Sequence, residues 1–354
     1  MNDIVTPTML VPPLPGPAAV DATVLICSYN RADDLRETLD SLAQTRTDGA
    51  FTWELLVVDN NSIDDTREAV LAKIDGYPVP LRYLFEPAQG KSNALNTGLR
   101  ASRGRIIAFT DDDVRVPAAW LGEAIGPLLQ RPDIEYTGGP VRPIWQSPKP
   151  RWLDERGNLG GTIAVKDHGG DAFVFEDERK TPLGVNMAVR RSLIERIGGF
   201  NPALGRKGAS LLGQEQADFF YRSRRAGARG LYVPSMVLEH IVPAGRLTKR
   251  YFYRWWYWKG ISHARLHALH GRTELDLDLR TVRRIGGVPA YLVRSAGHHA
   301  ASWLIACATG AAQRRTEHAA NLAYIAGYSR DAALAHRRPA RESSAASRTR
   351  ATVE

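Results

Sequence analysis

Cysteine is nearly absent from this 354-residue chain, which holds only Cys27 and Cys307. They lie far apart and form no CxxC pair, which excludes a disulfide framework and a thiolate zinc site and fits a reducing compartment. The first 21 residues are Pro-rich and lack the basic start and apolar run of a secretory signal, so we expect none.

Long apolar runs are also missing. The stretch from Ser295 to Gln313 lacks Lys, Arg, Asp and Glu, but it is rich in Ala and Gly and contains two His. A membrane-spanning helix needs ~20 predominantly apolar residues, so we expect no span here. The chain is 44% apolar, which is ample for a core, and its length predicts one large domain or two.

Positive charge is concentrated in the C-terminal third. Residues 246–354 contain 19 Lys and Arg against 7 Asp and Glu, a net charge of +12. Residues 1–245 contain 28 against 31, a net charge of −3. The basic third is expected to seek anionic partners, which are lipid headgroups, nucleic acid or acidic protein surfaces.

Strand-like and helix-like segments alternate along the body of the chain. Apolar runs predict strands at 23–27, 54–58, 81–85, 105–110, 230–233 and 237–240. Apolar spacings of three and four, with capping residues, predict helices at 31–44, from about 62 to 73, at 90–102 and at 214–225. This order predicts an α/β fold with a mostly parallel, doubly wound sheet and helices on both faces. Ligands of such sheets bind beyond the carboxyl ends of the strands.

Three consecutive carboxylates, Asp111, Asp112 and Asp113, directly follow the fourth predicted strand. Burying such a group without a counter-charge costs several kcal/mol. Mg²⁺ or Mn²⁺ would resolve the repulsion, because these ions bind one or two carboxylates together with phosphate oxygens. The alternative is a solvated turn that caps the next helix.

Lys91 opens a predicted helix in the segment Gly90-Lys91-Ser92. A phosphate-binding P-loop would need glycine where Phe85 stands, so that motif is excluded. Lys91 can still attract a diphosphate, and the alternative is an ordinary solvated lysine.

Glu215 and Asp218 lie three residues apart and share one face of the predicted helix at 214–225. Asp218 has Arg222 one turn later, which is a sufficient structural reason for it. Glu215 has Phe219 at that spacing, and a carboxylate in such surroundings is a candidate general base. The alternative is a first-turn acid that the helix dipole favours.

Several motifs across residues 23–240 have a family-like order and spacing. They read ICSYNR, VVDNNSIDDT, GKSNALNTGL, IIAFTDDDVRVP, LGVNMAVRR, IGGFNPALG and GQEQADFFYR. Together they resemble the inverting nucleotide-sugar glycosyltransferases of family 2, which have the GT-A fold. The resemblance implies that Ser28 and Tyr29 line the base pocket, that Asp59 or Asn60 reads the base and that Asn186 lines the sugar and acceptor side. The implied nucleotide-sugar-binding residues are Ser28, Tyr29, Asn30, Asp59, Asn60, Lys91, Asp111, Asp112 and Asn186.

The resemblance also assigns the metal and the base. Asp113 would bind Mn²⁺ or Mg²⁺, with Asp111 and His240 as further candidate ligands. The family base sits in a Glu-Asp pair, and here Gln216 occupies the Asp position. Gln cannot accept a proton at neutral pH, so Glu215 is the expected base and Asp218 the alternative.

The expected activity is an inverting, metal-dependent transfer of a hexosyl group from a UDP-, GDP- or dTDP-linked donor to a hydroxyl. The acceptor would be a membrane-proximal or lipid-linked glycan of a cell-envelope polysaccharide. One alternative is a non-catalytic, transferase-like binder of anionic lipid or nucleic acid. A sugar nucleotidyltransferase ranks lower, because the first turn, Ser28 to Arg31, has no glycine. No specific nucleic-acid partner is expected, and the oligomeric state is left open.

The segment Arg246–Gly260 reads RLTKRYFYRWWYWKG and combines aromatic with basic residues. It is typical of an interfacial helix, which would hold the enzyme peripherally at the cytoplasmic face of the membrane. The alternatives are a packed C-terminal helix or a subunit contact. The expected organisation is a flexible segment at 1–20, a GT-A domain at 21–245, a helical extension at 246–336 and a disordered basic tail at 337–354.

Overall fold

A computed structural model of the chain describes residues 19–176, 180–208, 210–273 and 275–337. The predicted N-terminal segment and basic tail therefore lie, apart from their innermost residues, outside the described residues. The chain divides into two units, one ending at Tyr251 and one starting at Phe252. The sequence had suggested a boundary after residue 245.

The first unit contains a large sheet and a small one. Its strands are β1 (Val20–Ser28), β2 (Trp53–Asp59), β3 (Leu81–Phe85), β4 (Gly104–Thr110), β5 (Val114–Arg115), β6 (Tyr136–Gly138), β7 (Val141–Trp145), β8 (Phe173–Val174), β9 (Met187–Arg190), β10 (Gly230–Tyr232) and β11 (Leu238–Val242). The large sheet has the order β3-β2-β1-β4-β9-β6-β10-β8. β3, β2, β1 and β4 pair in parallel, as do β6 and β10, whereas β9 runs antiparallel to β4 and β6.

Helices cover the two faces of the large sheet. They are α1 (Ala32–Ala43), α2 (Thr66–Ile74), α3 (Lys91–Ala101), α4 (Trp120–Gln130), α5 (Arg191–Ile197) and α6 (Glu215–Arg225), with 3₁₀ turns at Gly160–Ile163 and Ala244–Arg246. Alternate residues of a strand point to opposite faces. Val24 and Ile26 of β1 therefore pack in one core with α1 and α4, while Leu25 packs in the other with α3, α5 and α6.

The predicted α/β fold with a mostly parallel sheet is confirmed, and β1 to β4 fall within a few residues of their predicted positions. The antiparallel strand β9 and the short strands β5, β6, β7 and β8 were not predicted. Their partners in the sheet define these strands, because a run of two to five residues carries little periodicity of its own.

The second unit contains the helices α7 (Lys249–His270, which begins in the first unit), α8 (Ala290–Ala308) and α9 (Ala312–Arg337) and a small hairpin of β12 (Arg284–Ile285) and β13 (Val288–Pro289). No helix among the described residues is long and apolar enough to cross a membrane. Phe252 and Trp256 of α7 are buried, and its other aromatic rings are half-buried. The ring of Trp256 packs edge-on against Tyr324 of α9. These rings thus serve largely for packing, which is one of the alternatives that the sequence left open.

Two glycines allow α7 and α9 to cross closely. A Cβ atom on Gly260 would lie 2.0 Å from the carbonyl oxygen of Tyr324, and a Cβ atom on Gly327 would lie 1.9 Å from that of Tyr257. Both contacts are to backbone atoms, so no side-chain rotation can relieve them.

We expect Gly260→Ala to destabilise the second unit by about 1–3 kcal/mol, the usual cost of overpacking. The matched control is Gly297→Ala in α8, where the added Cβ meets no atom within 4 Å. There the better helix propensity of alanine should stabilise the protein by up to ~1 kcal/mol. Urea unfolding followed by circular dichroism measures both changes. Equal stability of the two variants would contradict the close crossing.

Candidate active site

Polar residues from three strands meet at one edge of the large sheet. The parallel register aligns Ser28 with Asp59, and Ile26 with Thr110, so the residues after β1, β2 and β4 lie at the same edge. Ser28 Oγ donates a hydrogen bond of 2.6 Å to Asp112 Oδ2. The predicted location beyond the carboxyl ends of the strands is therefore where these side chains lie.

The loops after β1 and β2 are tied to each other. Asn30, with a left-handed φ of 52°, accepts a hydrogen bond from the Ile63 amide (2.8 Å), and its own amide donates to Ser62 Oγ (3.0 Å). Tyr29, beside it, is 43% exposed. Asn30 therefore shapes the loop, and Tyr29 leaves part of its side chain open to solvent.

Asp59 and Asn60 are buried and occupied by neighbours. Asp59 accepts hydrogen bonds from Tyr83 Oη (2.8 Å) and the Ser62 amide (2.9 Å). Asn60 donates to the carbonyls of Glu86 and Ala88 and accepts from the Gly90 amide, so it shapes the loop that leads into α3. Of this pair, Asn60 has a mainly structural set of contacts.

Asp113 is the most heavily paired carboxylate of the triplet. β5 pairs with β11, which brings His240 Nε2 to 3.4 Å from Asp113 Oδ1. Asp113 Oδ2 forms ion pairs with Arg31 and, at 3.5 Å, with Arg246. Burial would raise the pKa of Asp113, but His240, Arg31 and Arg246 outweigh it and hold the pKa well below its usual range. Asp113 is therefore ionised at neutral pH.

Asp112 differs from its neighbour in the direction of its pKa shift. Burial and then the charge of Asp113 raise the pKa of Asp112 to about 7, while Arg31 and the Ser28 hydroxyl oppose the increase. This shift favours the protonated form of Asp112, which reduces the repulsion expected within the triplet.

Asp111 lies away from the predicted metal ligands. Its Oδ1 forms an ion pair of 2.7 Å with Lys91 Nζ. No three His, Cys, Asp or Glu side chains within the described ranges converge on a common point that could hold a metal ion. Asp111 is thus paired with Lys91, and the expected metal trio of Asp113, Asp111 and His240 stays a prediction.

Asp113 and His240 still fit a divalent cation as a pair. Ligand atoms at ~2.0–2.2 Å from one ion lie roughly 3 Å apart when adjacent, close to the 3.4 Å between Asp113 Oδ1 and His240 Nε2. Mn²⁺ and Mg²⁺ prefer oxygen ligands to imidazole, so Asp113 would be the stronger ligand of the two. Phosphate oxygens and water would complete the coordination, as is usual for Mg²⁺ and Mn²⁺.

Glu215 lies at the start of α6 beside a small cavity lined by both apolar and polar residues. The cavity measures about 30 Å³, room for about two water molecules. Glu215 Oε2 and Thr110 Oγ1 are both buried, and neither has a hydrogen-bond partner within the part of the chain that the structure describes. Burial raises the pKa of Glu215 above its ordinary 4.5, against the charges of Lys91 and Arg206. The polar residues and cysteine that line the cavity are Cys27, Lys91, Thr110, Asp111, Glu215 and Gln216.

Gln216 anchors a loop beside this cavity. Its Oε1 accepts a hydrogen bond of 2.6 Å from the Gly184 amide, and its Nε2 donates to the Pro182 carbonyl. These two bonds use both ends of an amide, which a carboxylate could not match because it has no donor. The residue at the family's Asp position is thus structural here.

Asp218 faces away from Glu215's cavity. It is buried and forms an ion pair with Arg222 at 2.8 Å, the partner that the spacing predicted. Arg222 also donates to the carbonyls of Ile197 and Gly199 at the end of α5. Asp218 therefore links α6 to α5 through Arg222, and its place as the alternative base stays a prediction.

The side chain of Asn186 lies in the core. Its side chain is fully buried, donates to the carbonyls of Pro140 and Met236 and accepts from Trp120 Nε1 at 2.8 Å. Each polar group of its side-chain amide is thus used within the core, and its expected place on the sugar and acceptor side stays a prediction.

Arg31 and Arg246 were missed as site residues. Both lie outside the strands and contact Asp113, Arg31 from a loop that precedes it in the sequence and Arg246 from a turn that follows it. Arg31 stands in the SYNR motif and could have been noticed as a cation near the carboxylates. The sequence places Arg246 only in the basic segment, since nothing local to it indicates that the pairing of β11 with β5 brings it close to Asp113.

The sequence profile described as Glycosyl transferase family 2 matches residues 23–198. The succinoglycan biosynthesis protein ExoM of Rhizobium meliloti is 28% identical over 244 residues, which cover 69% of this chain and 74% of that protein. The glucosyl-dolichyl phosphate glucuronosyltransferase of Haloferax volcanii is 24% identical over 259 residues, which cover 72% of this chain and 80% of that protein.

A solved structure shares the fold. The mannosyltransferase PcManGT of Pyrobaculum calidifontis, in complex with GDP-Man and Mn²⁺, matches with a TM-score of 0.57 at 22% identity, over 88% of this chain and 87% of that one. The predicted GT-A-type fold is confirmed by this likeness.

The contrast between the two carboxylates of α6 predicts opposite effects on stability. Asp218→Asn should cost about 3 kcal/mol, because it leaves the Arg222 guanidinium without its counter-charge. Glu215→Gln should be neutral or stabilising above pH 4.5, where the native fold must hold a buried carboxylate with a raised pKa. This gain should vanish at lower pH, where Glu215 is protonated in both states.

Urea unfolding at pH 7.5 and pH 4 measures both variants against the parent. A larger loss for Glu215→Gln than for Asp218→Asn at pH 7.5 would contradict the roles read from these contacts.

Proposed function

We propose that this chain, a glycosyltransferase whose residues 23–198 match the glycosyl transferase family 2 profile, transfers a hexosyl group with inversion to a hydroxyl acceptor, using Glu215 as the base. The observation that carries the proposal is the buried, unpaired oxygen of Glu215, which shares a cavity with Lys91 and Asp111. A free carboxylate oxygen in such a place can accept a proton from an incoming hydroxyl.

The donor is a nucleotide diphosphate sugar bound along the edge of the large sheet. Tyr29 and Asp59 form the base end, because Tyr29 is exposed and Asp59 ends β2 beside it. Asp111 serves the ribose or the sugar, with Lys91 beside it. The diphosphate lies near Arg31 and Arg246, whose guanidinium groups already attract the negative charge of Asp113.

A divalent cation, Mn²⁺ or Mg²⁺, would be held by Asp113 and His240. When bound, it supplies positive charge for the leaving diphosphate. PcManGT was solved with GDP-Man and Mn²⁺, which supports this proposal. Lys91 keeps its charge, because Asp111 and Glu215 outweigh the burial that would lower its pKa, and raise it instead. Lys91, Arg31 and Arg246 therefore stabilise the departing diphosphate from fixed positions.

Glu215 acts on the acceptor. Its carboxylate takes the proton from the acceptor hydroxyl as that oxygen attacks the anomeric carbon on the face opposite the diphosphate. One displacement forms the new glycosidic bond, breaks the bond to the diphosphate and inverts the anomeric configuration. Thr110, whose hydroxyl also lacks a partner within the described residues, can hold a polar group of the reacting sugars in the same cavity.

The acceptor is a lipid-linked or polysaccharide glycan, and the enzyme works at a cytoplasmic membrane surface. ExoM is named for succinoglycan biosynthesis, and the Haloferax volcanii relative is named as acting on glucosyl-dolichyl phosphate. These names support a glycan acceptor and a lipid carrier respectively.

Glu215→Gln should abolish transfer while leaving donor binding intact. A thermal-shift panel of UDP-, GDP- and dTDP-sugars with Mn²⁺ identifies the donor, since a ligand of the folded state raises Tm. Release of nucleoside diphosphate from that donor then gives the rate, which should fall at least ~100-fold, the usual contribution of a general base. Tm shifts by the donor should match those of the parent.

The pH profile of kcat/KM for the parent tests the same base. Only ionised Glu215 accepts a proton, so activity should be lost as pH falls through a midpoint above 4.5, because burial raises this pKa. Turnover retained by Glu215→Gln, or an acid limb below pH 4.5, would assign the base elsewhere.

Asp113→Asn should remove the part of the Tm shift that UDP or GDP gives only with Mn²⁺. The matched control is Asp33→Asn, whose carboxylate is 98% exposed on α1 and should change nothing. A Mn²⁺-dependent shift that survives in Asp113→Asn would show that the cation binds elsewhere.

A further inference from the structure

The end of α8 exposes three large apolar side chains in a row. Trp303 is 36% exposed, Leu304 62% and Ile305 65%. Single exposed apolar residues are ordinary, but adjoining large ones mark an interaction site. We define the α8–α9 tip as residues 303–315, which run from Trp303 through the turn to the first turn of α9.

The exposed residues occupy most of the circumference of the helix. Successive residues of an α-helix are ~100° apart, so residues 303 to 305 span roughly 200°. Ala306 is buried and marks the inward side. The tip is therefore a projection, and a single flat protein face would cover only part of it. A fluid apolar phase can surround such a projection.

An uncharged stretch bordered by arginines includes the exposed apolar residues of the tip. No Lys, Arg, Asp or Glu occurs from Ser295 to Gln313, and Arg314 and Arg315 follow immediately. Arg294, one residue before the uncharged stretch, is exposed, as is Arg314. Residues 252–354 contain 16 Lys and Arg against 7 Asp and Glu. An uncharged stretch with arginines at both ends fits a bilayer whose headgroups are anionic.

We propose that the α8–α9 tip inserts shallowly into an anionic lipid bilayer, with Trp303, Leu304 and Ile305 below the headgroups and Arg314 and Arg315 against the phosphates. Interfacial segments enter a bilayer by ~5–10 Å, which is less than the uncharged part of α8. This inference rests on the proposed function for the lipid-linked acceptor, but it moves the contact with the membrane from the aromatic residues of α7 to the α8–α9 tip.

Flotation of the full chain with vesicles tests the proposal without any transfer reaction. Vesicles of phosphatidylcholine with 30% phosphatidylglycerol should bind the parent, and vesicles of phosphatidylcholine alone should bind it more weakly. Leu304→Asp/Ile305→Asp should weaken binding at least tenfold, since it places charge in the apolar layer. Arg314→Glu/Arg315→Glu should remove the preference for anionic vesicles.

The matched control is Leu334→Asp. Leu334 is 53% exposed and lies near the opposite end of α9, about 30 Å along that helix from Arg314. This variant should bind vesicles like the parent. All variants should retain the parent's circular dichroism and its Tm shift with the donor.

Three outcomes would overturn the inference. One is a parent that fails to bind either kind of vesicle, and a second is equal binding by Leu304→Asp/Ile305→Asp. The third is a change from dimer to monomer in light scattering for that variant with vesicle binding unchanged, which would assign the tip to a second copy. Loss of vesicle binding with donor binding retained separates this inference from the proposed chemistry.

Discussion

Three adjacent carboxylates must share one edge of a sheet, and the rest of the site depends on how their repulsion is relieved. The repulsion is relieved in a different way at each carboxylate. Asp111 pairs with Lys91, Asp113 pairs with Arg31 and Arg246, and burial raises the pKa of Asp112, which favours its protonated form. Because these cations come from α3, from the loop after β1 and from the 3₁₀ turn after β11, the arrangement also ties distant parts of the first unit together. The same cations suit a departing diphosphate, so what stabilises the folded site also prepares it for charge in the reaction.

The three polar residues near the start of α6 divide their work in a related way. Gln216 holds the loop at Pro182 and Gly184, and Asp218 joins α6 to α5 through Arg222. Glu215 alone keeps a buried oxygen without a partner among the described residues. An unsatisfied buried carboxylate costs stability, and such a cost is commonly found where a fold serves chemistry. Gln216, at the position where the family usually has Asp, therefore has a structural role here.

The second unit shows the same separation between packing and contact with a partner. Its aromatic helix α7 looks membrane-seeking by composition, yet Gly260 and Gly327 let α7 and α9 approach so closely that the rings become part of the packing. The weakly apolar α8, which composition alone makes unremarkable, carries the exposed large residues.

The sequence by itself determined the alternation of strands and helices, the two-sided sheet and the edge at which the polar clusters meet. These follow from periodicity and from motifs whose residues are close in sequence, such as Asp111 to Asp113 and Ser28 to Asn30. Tertiary structure alone decided that Asp111 pairs with Lys91, that the side chain of Asn186 is buried and hydrogen-bonded in the core and that Arg246 forms an ion pair with Asp113. It also decided which apolar residues of the second unit stay in water. Each of these outcomes depends on partners that are distant in sequence, in one case by more than a hundred residues. Local spacing cannot specify which of several charged or apolar side chains will contact a given neighbour.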